Sequence, residues 1–249
     1  MQLIEKDDVS QYLLFLEDIF PYMEKYHYQK GMTEIIQELK HLVKTNNHGT
    51  ASDCALLLDY QATMESKPQK AIQLEKEALS QLKETTRDNA HLISNLHANL
   101  GGLYRMQGQI EPAREHMEIG ISLLEEYGLL YTNDSIPQIS NYAALLAEIQ
   151  ESERAISSLQ KLARIIKEYN SDHCLDYAQV QESLGNICLI TANLPQARTH
   201  FKKALKIYED IWSDEPELIE EKYQEIHELY PQGGIVLARS LLHTNNKQV

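Results

Sequence analysis

The sequence predicts an all-α fold, a solenoid built from antiparallel helix pairs. Three observations predict it. Alanines recur every 42 residues, at Ala71, Ala113, Ala155 and Ala197. Apolar residues recur at three- and four-residue spacing on both sides of each alanine, the period of a helix with one buried face. Prolines at Pro68, Pro112 and Pro195 fall in nearly one column between the two halves of a unit, where a first helical turn tolerates a missing N–H. A fixed period of this length is the signature of repeats that stack on their neighbours.

The period is clearest when "LGGLYRMQGQIEPAREHMEIGISLLEE" (Leu100 to Glu126) is set above "LGNICLITANLPQARTHFKKALKIYED" (Leu184 to Asp210). Leu-Gly, Ala-Arg and a histidine (His116, His200) coincide without a gap. The unit between them starts near Tyr142, and a further step back gives one from Leu58. Small residues share two further columns: Gly101, Ala143 and Gly185, with Asp59 the exception, and Ala78, Gly120 and Ala204, broken by Leu162. Small side chains let two helix backbones approach closely. Gly101, Gly102 and Gly108 are therefore read as packing and turn glycines. No strand precedes them, so a phosphate-cradling loop is excluded.

Taken in order, residues 1–50 are expected to form an N-terminal helical segment, a degenerate or capping repeat, with Pro21 as a kink or break. Residues 51–212 hold four repeats of 42 residues. Residues 213–249 form a degenerate C-terminal capping helix pair and tail. Ser213 is expected to cap the first of these helices, with a proline in its first turn. Tyr230 and Gly234 fall in the repeat columns, and "TNNKQV" is expected to fray.

Composition narrows the function. The 249-residue chain carries a net charge of −14, which argues against nucleic acid, whose phosphates demand surplus Lys and Arg. From Tyr208 to Glu228 nine acids face only Lys222. This is either a solvated helix face or a docking strip for a basic partner. No apolar run reaches the roughly 20 residues of a membrane span, and "MQLIEKDD" lacks the basic and apolar regions of a signal peptide. Three cysteines, Cys54, Cys174 and Cys188, have no CxxC spacing and read as reduced thiols, so a cytoplasmic location is expected. No nucleophile–base arrangement, metal-ligand spacing or cofactor motif is legible. The chain is expected not to be an enzyme, and to need no cofactor or metal.

The pattern carried by Leu100, Gly101, Tyr104, Gly108, Ala113, Met117 and Gly120, and again by Leu184, Gly185, Ala197, Phe201 and Ala204, resembles the tetratricopeptide repeat. That motif usually spans 34 residues. A 42-residue period is similar to the kinesin-light-chain type and to bacterial peptide sensors. The unit from Tyr142 departs most, lacking Leu-Gly and the turn glycine. The resemblance implies a right-handed superhelix whose inner wall is lined by the first helix of each pair.

It also implies which positions of that helix meet a ligand. In this chain they place Asn95, Gln179, Asn99, Asn141, Ser183 and Asn186 on the wall. Stacked asparagines offer donor and acceptor to the backbone of an extended peptide. Arg105 is expected to hold a carboxylate, with Tyr60, Met64 and Met106 as adaptable apolar contacts. The chain lacks the Lys/Asn/Lys/Arg set with which chaperone-binding members clamp a C-terminal carboxylate. The expected function is a non-catalytic module binding a peptide or partner segment in the concave groove. The alternative is a peptide-responsive sensor, resembling bacterial pheromone-binding proteins, that acts on a protein target.

Overall fold

The computed structural model describes residues 12, 13, 16, 19, 29–46, 50–130 and 135–229. The expectations for Pro21, for Tyr230 and Gly234, and for the terminal tail lie outside these residues. Among the described residues the fold is all helical. The chain divides into two compact units, Met1–Tyr127 and Gly128–Val249.

The first unit contains α1 (Gln29–Asn46), α2 (Ala51–Thr63), α3 (Pro68–Gln81), α4 (Ala90–Met106) and α5 (Ile110–Glu126). α2 pairs with α3 and α4 with α5, while α4 also touches α2 and α3. Thr50 opens α2 with a reciprocal capping box: its hydroxyl accepts from the Asp53 N–H, and the Asp53 carboxylate accepts from the Thr50 N–H. Two orphan donors of the first turn are satisfied this way. α1 packs on α2 through Met32, Ile36, Leu39 and Val43, together with Leu13 and Leu16, against Leu57 and Tyr60.

The second unit contains α6 (Ser135–Glu148), α7 (Ser152–Tyr169), α8 (Leu175–Ile190), α9 (Leu194–Ile211) and α10 (Pro216–Glu228). α6 pairs with α7 and α8 with α9; α8 also touches α6 and α7, and α10 closes on α9. Cys188, Ala197, Phe201, Leu205 and Ile226 form the core of that last corner. α10 starts at Pro216 with Glu215 as N-cap, so Ser213 is not the cap. The first-turn proline is where the sequence placed it.

The repeated columns explain the packing. Ala71, Ala113, Ala155 and Ala197 are all essentially inaccessible. A methyl group added at Gly101 would stand 2.5 Å from Met117 Cγ, and one at Gly185 would stand 2.8 Å from the Phe201 ring. A small residue on the first helix thus faces a large one sixteen positions later on the second. The turn between helices is also periodic. Gly108, Gln150 and Ala192, again 42 apart, have positive φ of 71°, 67° and 56°. The following amides close back over five residues, Gln109 to Tyr104, Glu151 to Leu146 and Asn193 to Cys188, at 2.7–2.9 Å. This is a Schellman termination, and it needs a left-handed residue whether or not glycine supplies it. The missing turn glycine near Tyr142 therefore leaves the turn intact.

Candidate functional site

First helices α2 and α4 touch one another, as do α6 and α8, so the residues on their faces can be followed within each unit. In the first unit Asn99 is exposed on α4, and its Nδ2 donates to Asp59 Oδ1 of α2 at 2.8 Å. The predicted wall residue is thus already tied to its neighbouring helix. Asn95 and Arg105 are half-buried, and Met106 ends the helix 78% exposed. Tyr60 departs from the expectation. It is only 8% exposed because α1 covers it, and it belongs to the core rather than to an open wall.

Beneath Asn99 lies a feature that no motif marks. Glu75 of α3 is 1% exposed and hydrogen-bonds the Asp59 carboxyl, while its Oε2 has no hydrogen-bond partner. Burial, reinforced by the neighbouring Asp59 charge, pushes the Glu75 carboxyl up to about 10, and burial raises Asp59 as well. Glu75 therefore keeps its proton at neutral pH and donates it to Asp59, the arrangement two carboxyls adopt when both cannot ionise. The repeat frame shows what this pair replaces. Asp59 stands in the column of Gly101 and Gly185, and Glu75 in the column of Met117 and Phe201. An acid pair occupies the small–large lock of the first repeat. In the sequence Asp59 shows as a break in the small column; the break that Glu75 makes in the large one is recognised once the two columns are seen to pair.

In the second unit, Asn141 of α6 and Gln179 of α8 are exposed. Ser183 donates to the Gln179 carbonyl at 3.0 Å, and its hydroxyl meets that of Ser140 across the α6–α8 seam at 2.8 Å. Asn186 is half-buried with its Oδ1 unpartnered. Among the Lys and Arg residues of the eight paired helices, Arg105 alone lies on a first helix; the second helices carry the rest. The walls offer amides and hydroxyls, with little positive charge.

The histidine column is a packing device. His116 Nδ1 meets His97 Nδ1 at 2.9 Å, and Tyr104 stacks on the His116 ring. Burial, with His116 adding to it, holds His97 down to about 4; burial also lowers His116. Eighty-four residues on, His200 meets Gln181 at the same distance. At the C-terminal corner the Tyr208 hydroxyl donates to Glu182 at 3.0 Å, and Lys222 reaches the same carboxylate at 3.5 Å. Apart from half-buried Glu209, the acids from Tyr208 to Glu228 are exposed. The three cysteines are unpaired. Among the described residues no cluster of three His, Cys, Asp or Glu is arranged to hold a metal ion, and no helix is long and apolar enough to cross a membrane.

The tetratricopeptide-repeat family model matches residues 135–210, which span both helix pairs of the second unit. Residues 135–210 thus carry tetratricopeptide repeats. Solved structures give the same fold for more of its length. The repeat protein is similar to BtubC (BKLC) from P. vanneervenii, with a TM-score of 0.58, 16% identity, and 97% of this chain and 94% of that one covered. It is also similar to the nearly identical TPR-like repeats of a putative kinesin light chain from Podosopora anserina. One such structure has a TM-score of 0.61 at 12% identity, covering 81% of this chain and 98% of that one. Another has 0.59 at 13% identity, covering 79% and 96%. At such identities the likeness is one of fold. No curated protein matches the chain. Tetratricopeptide repeats generally mediate protein–protein interaction and are typically non-catalytic.

Proposed function

We propose that this repeat protein is a non-catalytic interaction module in which the first-helix walls bind an extended internal segment of a partner protein. The observation that carries this reading is the chemistry of those helices. Asn99, Asn141 and Gln179 expose carboxamides, and Arg105 is the only Lys or Arg on any of the four. Carboxamides present donor and acceptor together and so suit a peptide backbone. A free carboxylate is instead held by paired cations, which the walls lack. The bound segment is therefore recognised along its main chain rather than by its C-terminus, with Met106 as a deformable apolar contact. Asn95, Ser183 and Asn186 complete the polar lining. Within each unit the two helix pairs act as the binding body. The unpaired cysteines fit a reducing compartment, and we assign the protein to the cytoplasm on that ground.

The test is selection from a random peptide library displayed with blocked C-termini. Wild type is compared with Asn141→Ala/Gln179→Ala and with Asn99→Ala. Enrichment of a common motif by wild type, lost in the double variant at unchanged helicity, is the expected result. Peptides that bind wild type and double variant equally would remove the wall from the account.

A further inference from the structure

The second helix of the last clean repeat abandons a charge balance that an earlier repeat keeps. In α5, Arg114 Nε pairs with Glu118 Oε1 one turn on, at 3.1 Å. Eighty-four residues later, in α9, Arg198 holds the arginine's place, but Lys202 replaces Glu118 and Lys206 replaces Ser122. Residues four apart share a helix face, and like charges there are destabilising. All three cations are exposed, and among the described residues none has an ion-pair or hydrogen-bond partner. In a chain of net charge −14, three successive cations on one face, with Asp210 the one acid a turn beyond Lys206, are not the residue of a general surplus.

The adjoining helix carries the complement. α10 docks on α9 through Ile226 and Tyr223. Its outward side presents Glu217, Glu221 and Glu228, all exposed, the first two without an ion-pair partner. Lys222, the one base on α10, is turned to Glu182 and Glu225. A cationic face and an anionic face thus lie on neighbouring helices of one unit.

We propose that α9 and α10 form a self-association surface, the α9 stripe of one copy lying against the α10 acids of a second copy. A twofold axis makes every contact twice, residue i on j and j on i. Because α9 and α10 are neighbours in each copy, one such axis joins both cationic faces to both anionic faces. Exposed ion pairs are individually weak, so the dimer is reversible. Its screening length falls from about 10 Å at 0.1 M salt to about 3 Å at 1 M, so it dissociates in high salt. This surface is separate from the first-helix walls and does not depend on what they bind.

The test is sedimentation of the full chain at about 0.1 M and about 1 M NaCl. Two charge reversals are compared with wild type, Lys202→Glu/Lys206→Glu and Glu217→Lys/Glu221→Lys. Wild type is expected to rise in mass from 28.6 kDa towards twice that value with concentration at low salt, and to stay monomeric at high salt. Each reversed variant alone is expected to be monomeric. Their equimolar mixture regains dimer, because the reversed faces complement one another at both contacts. A wild type monomeric at both salts would overturn the proposal. So would a dimer that survives either reversal, or a mixture that stays monomeric while both variants keep wild-type helicity.

Discussion

Adjacent glycines in α4 give a direct measure of what the repeat's small column contributes. Gly101→Ala and Gly102→Ala both replace an interior helical glycine, so both gain about 1 kcal/mol of helix propensity. That gain cancels when the two are compared, and packing remains. At Gly102 a new Cβ has nothing within 4 Å, so the whole gain is realised and the variant is stabilised by about 1 kcal/mol. At Gly101 the Cβ would stand 2.5 Å from Met117 Cγ and 3.1 Å from the Ala113 carbonyl oxygen. Met117 must then retreat by about 0.9 Å to reach the 3.4 Å inner edge of ordinary contact. It is 3% exposed and has little space to do so. Overpacking of this kind costs about 1–3 kcal/mol, leaving Gly101→Ala between neutral and about 2 kcal/mol destabilised after the propensity gain. The two variants therefore differ by about 1–3 kcal/mol, read as urea midpoints at constant m. Equal stability would refute the close-packing argument. Adding Met117→Ala supplies an internal check: the Gly101→Ala penalty shrinks, and the cycle shows favourable coupling.

Three further outcomes follow from the turns and the buried titratable groups. Ala192→Gly relieves a left-handed residue at φ 56° and is expected to stabilise by about 1 kcal/mol, measured by thermal unfolding; a loss would mean that the positive φ carries no strain. Glu75 holds a proton in the folded state that the unfolded chain releases above pH 4.5, so its contribution declines as pH rises from there towards about 10. Glu75→Gln keeps a donor to Asp59 and should flatten stability between pH 6 and 9, whereas an unchanged slope would mean the pair is not protonated. His97 and His116 are held below the ordinary histidine value of about 6.5, so the unfolded state takes up protons first and stability falls as pH drops from about 6.5 towards 4. His97→Gln, which copies Gln181 of the later repeat, should weaken that acid loss in urea midpoints between pH 4.5 and 7.

The architecture was legible because the repeat writes the same contact several times. Ala71, Ala113, Ala155 and Ala197 are buried for one reason, close approach of paired helices, and a period makes that reason visible. The single exceptions were harder to read. Asp59 was visible as a break in a small column, but its partner Glu75 sits in "LEKEAL", where a glutamate looks like solvent-facing helix. Only the three-dimensional pairing of columns sixteen residues apart shows that the two acids face each other. Tyr60 was assigned to the wall by repeat position. The frame has no record of α1, which lies outside the 42-residue register and covers that ring. Likewise His97 carries no signal by itself; it acquires one from His116, nineteen residues on and one helix away.

The central claim, recognition of an internal segment along its backbone, is tested most directly by calorimetry on one selected peptide. It is synthesised with a free C-terminus and again with an amide in its place. The account predicts equal affinity for the two forms and loss of both in Asn141→Ala/Gln179→Ala. A free-carboxylate form binding tenfold tighter, a difference of about 1.4 kcal/mol, would contradict it and return Arg105 to the role of a carboxylate anchor.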